Sequence, residues 1–97
     1  MMSRVNLYNK MKPHAGKFHA IGNITRLSIL YILAREPMEF GKIAHRLKLL
    51  PSLLSHHLNI LMKTGLVTKT KFGKLATYYL SEEMIKKINV FFSKLHP

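Results

Sequence analysis

Four polar residues recur at helical spacing near the middle of the sequence: Ser52, His56, Asn59 and Lys63. Separations of four, three and four residues place them on one side of an α-helix that spans about residues 50–65. All four side chains can donate hydrogen bonds, and none of them is acidic. Such a surface is suited to a groove in nucleic acid, although an ordinary amphipathic surface helix explains the same pattern.

The opposite side of this helix is apolar. Its members are Leu54, Leu58 and Leu61, with His57 and Met62 at the edges. Pro51 suits the first helical position, and Gly65 suits the position just beyond the end. We therefore expect the leucines to pack on a core, and we interpret His57 as a packed or capping histidine.

The net charge of the chain is strongly positive. Its 97 residues include 16 Lys and Arg against 4 acidic residues, which gives a formal net charge of +12. This balance favours a polyanionic partner, for which nucleic acid and an anionic membrane surface are the two candidates. No apolar run approaches the roughly 20 residues of a transmembrane helix, and residues 1–17 lack the apolar core of a signal peptide. A cytoplasmic protein that does not span a membrane is therefore expected.

The elements before the polar helix set its position. Asn23 is a suitable N-cap for a helix to about residue 34, which is apolar on most sides and therefore predicted to be central and buried. Arg26 and Arg35 mark its polar ends. A short extended link at 38–39 and a helix over 40–48 follow. The tight connection at 48–50 then gives the spacing of a helix-turn-helix, although it has no glycine and Leu50 is a poor cap.

The segment after the polar helix predicts a β-hairpin. Residues 66–80 are rich in Thr, Val and Tyr, and Phe72-Gly73 lies between the two arms. Three lysines lie toward its tip: Lys69, Lys71 and Lys74. A helix-turn-helix followed by a basic hairpin is a winged helix, in which the second helix enters a major groove and the hairpin contacts phosphates.

The two ends of the chain predict further helices. Residues 3–12 form a candidate first helix, with Leu7 and Met11 among its apolar members. Ser81 is a suitable cap for a last helix whose apolar stripe is wide: Met84, Ile85, Ile88, Phe91, Phe92 and Leu95. Either this stripe is buried in the core, or part of it faces a second subunit, which we favour.

Four segments together resemble one family of transcription regulators. These are GNITRLSILYIL, FGKIAHRLKLL, SLLSHHLNILMKTGLV and KFGKLATYYL, within about residues 17–80. They are similar to the arsenic-repressor (ArsR) class of winged-helix regulators. The resemblance implies a homodimer built from the first and last helices, which binds an inverted-repeat operator in double-stranded DNA. Its implied dimer contacts are Leu7, Met11, Met84, Ile88, Phe91, Phe92 and Leu95.

The resemblance also implies which residues face DNA. Ser52, Ser55 and His56 match the positions that do so in the family, whereas Leu53 replaces a small polar residue. Leu53 would either reduce hydrogen bonding to bases or contact a thymine methyl group. The predicted DNA contacts are Ser52, Leu53, Ser55, His56, Asn59 and Lys63 on the helix, with Lys69, Lys71 and Lys74 on the hairpin.

The sequence argues against a metal, a cofactor or catalysis. Many members of this class sense metals through a Cys-x-Cys pair, but the chain contains no cysteine. Adjacent His56 and His57 would point about 100° apart on a helix, and His14, His19 and His96 form a site only if a dimer brings them together. There is no aspartate for a Ser-His-Asp triad and no cysteine nucleophile. We expect no enzyme, no cofactor and no metal.

The predicted fold is mainly α with a small β-hairpin (α+β), a winged helix-turn-helix in the order α-α-(short β)-α-α-β-β-α. Residues 1–97 form one domain, with 1–16 and 81–97 as dimerisation helices. The predicted function is a sequence-specific DNA-binding regulator, acting as a homodimeric repressor. Two alternatives stay open: a sequence-independent nucleic-acid or RNA-binding module, and a winged helix that docks a protein.

Overall fold

The computed structural model describes Gly16, His19, Ala20 and residues 22–87 of the chain. Three helices and three strands have defined bounds within these residues: α1 (Ile24–Arg35), β1 (Met38–Glu39), α2 (Phe40–Leu47), α3 (Pro51–Lys63), β2 (Val67–Phe72) and β3 (Leu75–Leu80). Residues 82–87 are helical as well. The predicted helix at 3–12 lies outside the described residues, as does most of the last predicted helix.

Helix α1 begins and ends where its sequence predicts. The Asn23 side chain accepts a hydrogen bond from the Arg26 backbone N–H at 3.1 Å, and Glu36 takes an extended conformation before Pro37. The expectation that α1 is central and buried is correct for one face only. Ile24 and Tyr31 are exposed, because the sheet and the other helices that the structure describes cover only the face of Ile29 and Leu33.

Helices α2 and α3 form the predicted helix-turn-helix. Lys48 takes the left-handed conformation, with φ of 54°, in the connection that lacks glycine. The N–H of Leu49 donates to the carbonyl of Ala44 at 3.0 Å, which closes the end of α2. As expected, Leu50 provides no side-chain cap, and Pro51 occupies the first turn of α3.

The end of α3 directs the chain into the sheet. Gly65 has φ of 76°, and its N–H donates to the carbonyl of Met62 at 3.0 Å. The N–H of Leu66 donates to the carbonyl of Leu61 at 3.0 Å, which completes a Schellman motif. The glycine predicted to end α3 therefore does so, and β2 begins two residues later at Val67.

The sheet has three antiparallel strands in the order β1-β3-β2. The 38–39 link forms an edge strand, with Met38 opposite Tyr78. In the pairing of β2 with β3, Val67 lies opposite Leu80 at one end and Phe72 lies opposite Leu75 at the other. Gly73 and Lys74 form the turn. Of these two turn residues only Gly73 has positive φ, at 61°, which is the pattern of a type II′ hairpin turn.

The core lies between the three helices and one face of the sheet. Its fully buried side chains come from all three helices and β2: Ile29, Ile43, Leu54, Leu58, Leu61 and Val67. Phe40 packs against Tyr78 with ring centroids 6.3 Å apart, which joins α2 to β3. The predicted class is confirmed: the fold is a mainly helical winged helix-turn-helix with a small antiparallel sheet.

Candidate nucleic-acid interface

Helix α3 separates its residues into two sides as its periodicity predicts. Leu54, Leu58 and Leu61 have no solvent-exposed surface, so the back of the helix is fixed on the core. The six residues predicted to contact DNA are all exposed: Ser52, Leu53, Ser55, His56, Asn59 and Lys63. The helix therefore presents hydrogen-bonding side chains from a rigid support.

The wing, residues 67–80, holds the other predicted contacts. Lys69, Lys71 and Lys74 are all exposed. The strand register places Lys69 and Lys71 on the same face of β2 as buried Val67, whereas Lys74 lies in the turn. The hairpin therefore carries three exposed cations, an arrangement that suits contacts with successive phosphates.

Similarity to known proteins decides the family. The model for "Bacterial regulatory protein, arsR family" matches residues 23–69, which include α1, the helix-turn-helix and the start of the wing. An uncharacterised HTH-type transcriptional regulator from Methanocaldococcus jannaschii is 41% identical over 80 residues, which cover 81% of this chain and 90% of the relative.

The chain belongs to the arsR family.

Further comparisons agree with this membership. The transcriptional activator HlyU of Vibrio cholerae is 37% identical over 67 residues, which span 62% of that relative. The crystal structure of NolR from Sinorhizobium fredii is 29% identical, with a TM-score of 0.78 over 99% of this chain and 95% of that one. This arsR-family chain is thus a transcriptional regulator with a DNA-binding winged helix, rather than an enzyme.

A buried Arg26–His57 contact holds the back of α3 and was missed from the sequence. Arg26 is 6% exposed, so its interpretation as a polar helix end is wrong. Its Nε donates to the Ala20 carbonyl at 2.7 Å and its Nη2 to the His19 carbonyl at 3.3 Å. Its Nη1 lies 3.3 Å from Nδ1 of His57. Since arginine cannot accept a hydrogen bond, Nδ1 accepts and the neutral imidazole carries its proton on Nε2.

This environment disfavours a charged His57. Burial lowers the pKa of its imidazole most, followed by the positive charge of Arg26 and then by His56. The interpretation of His57 as a packed histidine is confirmed, because it is buried and hydrogen-bonded. The only sequence signal for its partner Arg26 was the GNITRLSILYIL segment of the family resemblance, which gave no role for the arginine.

The leading end of α3 is less polar than the rest of its exposed side. Leu50 is exposed, and Leu53 is 44% exposed beside Ser52. The regulator therefore offers both apolar and hydrogen-bonding groups at this end of the helix. An apolar group is complementary to a thymine methyl and a hydrogen-bonding group to the other base edges.

The remaining predicted residues are only partly described. Met84 is half-buried against the core of its own chain, and the Ser81 hydroxyl caps its backbone N–H at 3.1 Å. The other predicted dimer contacts lie outside the described residues: Leu7, Met11, Ile88, Phe91, Phe92 and Leu95. Pairing through residues 1–16 and 81–97 therefore stays a prediction.

Metal binding likewise stays untested. No three His, Asp or Glu side chains come together within the described part of the chain. His45 and His56 are exposed, while His14 and His96 lie outside the described residues. No helix among the described residues combines the length and hydropathy needed to cross a bilayer.

An exposed apolar groove between α1 and α2 was also missed from the sequence. Its lining includes Ile24, Leu27, Tyr31, Arg46 and Leu47. Buried Ile32 also lines it, but Ile24, Leu27 and Tyr31 are exposed, so it is a surface feature rather than a cavity in the fold.

Proposed function

We propose that this arsR-family regulator binds a specific inverted-repeat operator as a homodimer and represses transcription by occluding a promoter. The observation that supports it most is the pairing of a rigidly seated helix α3, polar on its exposed side, with a lysine-bearing wing. The formal net charge of +12 supports association with a polyanion. The protein would act in the cytoplasm, with residues 1–97 as one domain and 1–16 and 81–97 as dimerisation helices.

The proposed complex assigns different tasks to the two elements. Helix α3 enters the major groove, where Asn59 can pair with an adenine and Lys63 or His56 can donate to a guanine. Leu53 contacts a thymine methyl group at the leading end of the helix. Lys69, Lys71 and Lys74 bind phosphates, which raises affinity for all sequences and makes it fall as salt rises.

Selection of bound sequences from random duplex DNA tests this proposal. A homodimer is expected to enrich two inverted half-sites whose centres lie about one helical turn, or 10–10.5 base pairs, apart. A variant with Ser52→Ala and His56→Ala is the matched control; both residues are exposed, so we expect the variant to keep the fold. If the parent protein and this variant enrich the same sequences, or none, then sequence-specific recognition is refuted.

The direction of regulation needs its own experiment. The relative HlyU is named an activator, so family membership does not decide between repression and activation. Transcription in vitro from a promoter that overlaps the selected operator is expected to fall as the regulator is added. An increase in transcript from that template would contradict repression.

A second candidate function is sequence-independent nucleic-acid binding, including RNA. The exposed Leu50 and Leu53 favour it, because they reduce the hydrogen bonds that the leading end of α3 offers to bases. Affinities for the selected duplex, a random duplex and a structured RNA are compared at one salt concentration. Equal affinity for all three would favour this candidate over the operator-binding regulator.

A further inference from the structure

The tip of the wing exposes two large apolar side chains. Phe72 is 89% exposed and Leu75 is 57% exposed. They are opposite one another in the strand register, as the last pair before the Gly73-Lys74 turn. Side chains opposite each other on a sheet face are neighbours, so they form one apolar patch at the end of the hairpin.

The core does not account for this patch. Side chains alternate between the two faces of β2 and β3, and the core-facing set includes Val67, Tyr78 and Leu80. Phe72 and Leu75 belong to the outer face, whose other members on these strands are Thr68, Thr70, Thr77 and Tyr79. With six residues in β2, the tip lies about 17 Å from Val67, where the strand leaves the core.

The surroundings of the patch are cationic. Lys71 precedes Phe72 on the opposite face of the same strand, and Lys74 occupies the turn between the two apolar residues. No acidic residue occurs between positions 67 and 80. A surface that combines an apolar point with flanking cations is complementary to nucleic acid, in which stacked bases lie between two rows of phosphates.

We propose that Phe72, supported by Leu75, is an apolar wedge that enters the DNA minor groove and unstacks a base step. The inference rests on the proposed DNA-binding function and adds to it a deformation of the duplex. Lys71 and Lys74 hold the tip at the phosphates, and the phenyl ring reaches the bases. Apolar side chains inserted in this way kink DNA by about 20–90°, so the regulator selects deformable steps such as TA at positions that α3 does not read.

The shape of the tip agrees with this role. A type II′ turn with glycine at its first central position keeps the end of the hairpin as narrow as two strands permit, about 4.8 Å between backbones. An undeformed minor groove is only about 6 Å wide. Because the atoms of both strands extend beyond this spacing between backbones, the tip is wider than the groove. It reaches the bases only if the groove opens, and unstacking of a step opens it.

Fluorescence of 2-aminopurine, placed in turn at each adenine of the selected operator, tests the wedge. The parent protein is expected to raise the signal about twofold or more at the wedged step, because unstacking relieves the quenching of this base. Phe72→Ala is expected to lose this rise and the associated bend, and to weaken binding about tenfold. Phe72→Leu keeps an apolar point and should retain most of the signal.

Two controls separate the wedge from general effects of the wing. Thr70→Ala removes a side chain on the same outer face, two residues before the tip, and should leave the fluorescence rise intact. Lys71→Ala should reduce the salt dependence of binding, but once the operator is saturated with protein it should keep the rise, because Lys74 still holds the tip at the phosphates. Phe72 is exposed, so circular dichroism is expected to show the same fold and melting temperature for Phe72→Ala.

Each other outcome counts against the wedge. Unchanged fluorescence and bending in Phe72→Ala, with operator binding intact, overturn the wedge and leave the proposed function standing. A protein that binds no duplex overturns both. Phe72-dependent flotation with phosphatidylserine vesicles, or Phe72-dependent self-association in sedimentation, without unstacking of DNA, would assign the patch to a membrane or to a second copy instead.

Discussion

Helix α3 and the wing both present predicted DNA contacts but are supported in different ways. Behind the exposed side of α3 lie Leu54, Leu58 and Leu61, which are completely buried, and the Arg26–His57 hydrogen bond. In the outer half of the wing, among the described residues, partly buried Ala76 is the apolar side chain that packs against the core, and every residue of β2 after Val67 is exposed. Helix α3 is held by the core along its length, whereas the outer half of the wing is held mainly by the pairing of its strands.

This difference indicates which kind of recognition each element can perform. Reading a base edge requires donors and acceptors placed within a few tenths of an ångström, which a buried helix back provides. Contacts with phosphates tolerate displacement, because the Coulomb attraction falls slowly with distance. Specificity should therefore depend on the packing behind α3, and general affinity on the wing.

The largest expected effect comes from removing the packing behind α3. Leu58→Ala should lower the free energy of unfolding by about 2–5 kcal/mol, because it opens a cavity at a completely buried position. Leu53→Ala on the exposed side of the same helix is the matched control and should change stability by less than about 0.5 kcal/mol. Urea denaturation followed by circular dichroism measures both. Similar losses in the two variants would show that α3 is not seated on the core.

A comparison of one variant that loses a helix contact with one that loses a wing contact should separate specificity from general affinity. His56→Ala is expected to reduce discrimination between the selected operator and random duplex by about 1–3 kcal/mol. Lys71→Ala should weaken both complexes alike and reduce the slope of log affinity against log salt by about one unit. Titrations by fluorescence anisotropy at several salt concentrations measure both quantities.

Lys86→Ala is the charge control for this pair, because its exposed lysine lies on the helical residues 82–87 rather than on the wing. It should leave discrimination unchanged and alter the salt slope by clearly less than Lys71→Ala does. If Lys71→Ala instead changes the preferred sequence while His56→Ala does not, the division of tasks between α3 and the wing is reversed.

The two elements were also predictable to different degrees. Which residues of α3 are buried and which are exposed can be predicted from the spacing of residues such as Ser52, Leu54, His56 and Leu58, because helical periodicity is a local property. The hairpin follows from β-prone residues around Phe72-Gly73. In both elements the residues that decide the local structure are close together in the chain.

Features that join distant parts of the chain were not predictable in the same way. Arg26 and His57 are 31 residues apart, and a single sequence does not show that the guanidinium turns inward to the imidazole and to the carbonyl of Ala20. The exposure of Ile24 and Tyr31 was missed because a helix that is apolar all round looks buried until its neighbours are known. The bounds of α1 itself, set by Asn23 and Pro37, were correct.

Acid should loosen α3 more than the wing. The pKa of His57 is lowered in the folded protein, so between its folded value and its unfolded value of about 6.5 the unfolded chain binds more protons. The stability that this group contributes is complete above about pH 6.5 and is lost as the pH falls toward the folded pKa. Protonation also turns Nδ1 into a donor that faces Arg26, which breaks their hydrogen bond.

Urea denaturation and amide hydrogen exchange across this pH range test the effect of acid. His57→Gln keeps an acceptor for Arg26 without a titrating group, so it should flatten the pH dependence. His45→Gln replaces an exposed histidine on α2 and should leave the dependence as it is. As the pH falls, protection against amide hydrogen exchange, relative to the intrinsic rate at each pH, should be lost in residues 51–63 before it is lost in 67–80. Loss of protection in the wing first would contradict the role of His57 in holding α3.

The smallest effect concerns the two turns that set the directions of these elements. The wing turn places Gly73 at its positive φ, whereas the connection before α3 places Lys48 at φ of 54°. A left-handed conformation costs a residue with a Cβ atom about 1–2 kcal/mol, and glycine avoids this cost. Part of the benefit is lost because glycine has greater conformational freedom in the unfolded chain. Lys48→Gly should therefore raise the free energy of unfolding by about 0.5–1 kcal/mol. Lys48→Ala removes the charge but keeps the Cβ atom, so it should give no such increase. Equal stabilisation by both variants in urea denaturation would mean that repulsion between positive charges, and not the backbone conformation, limits the turn before α3.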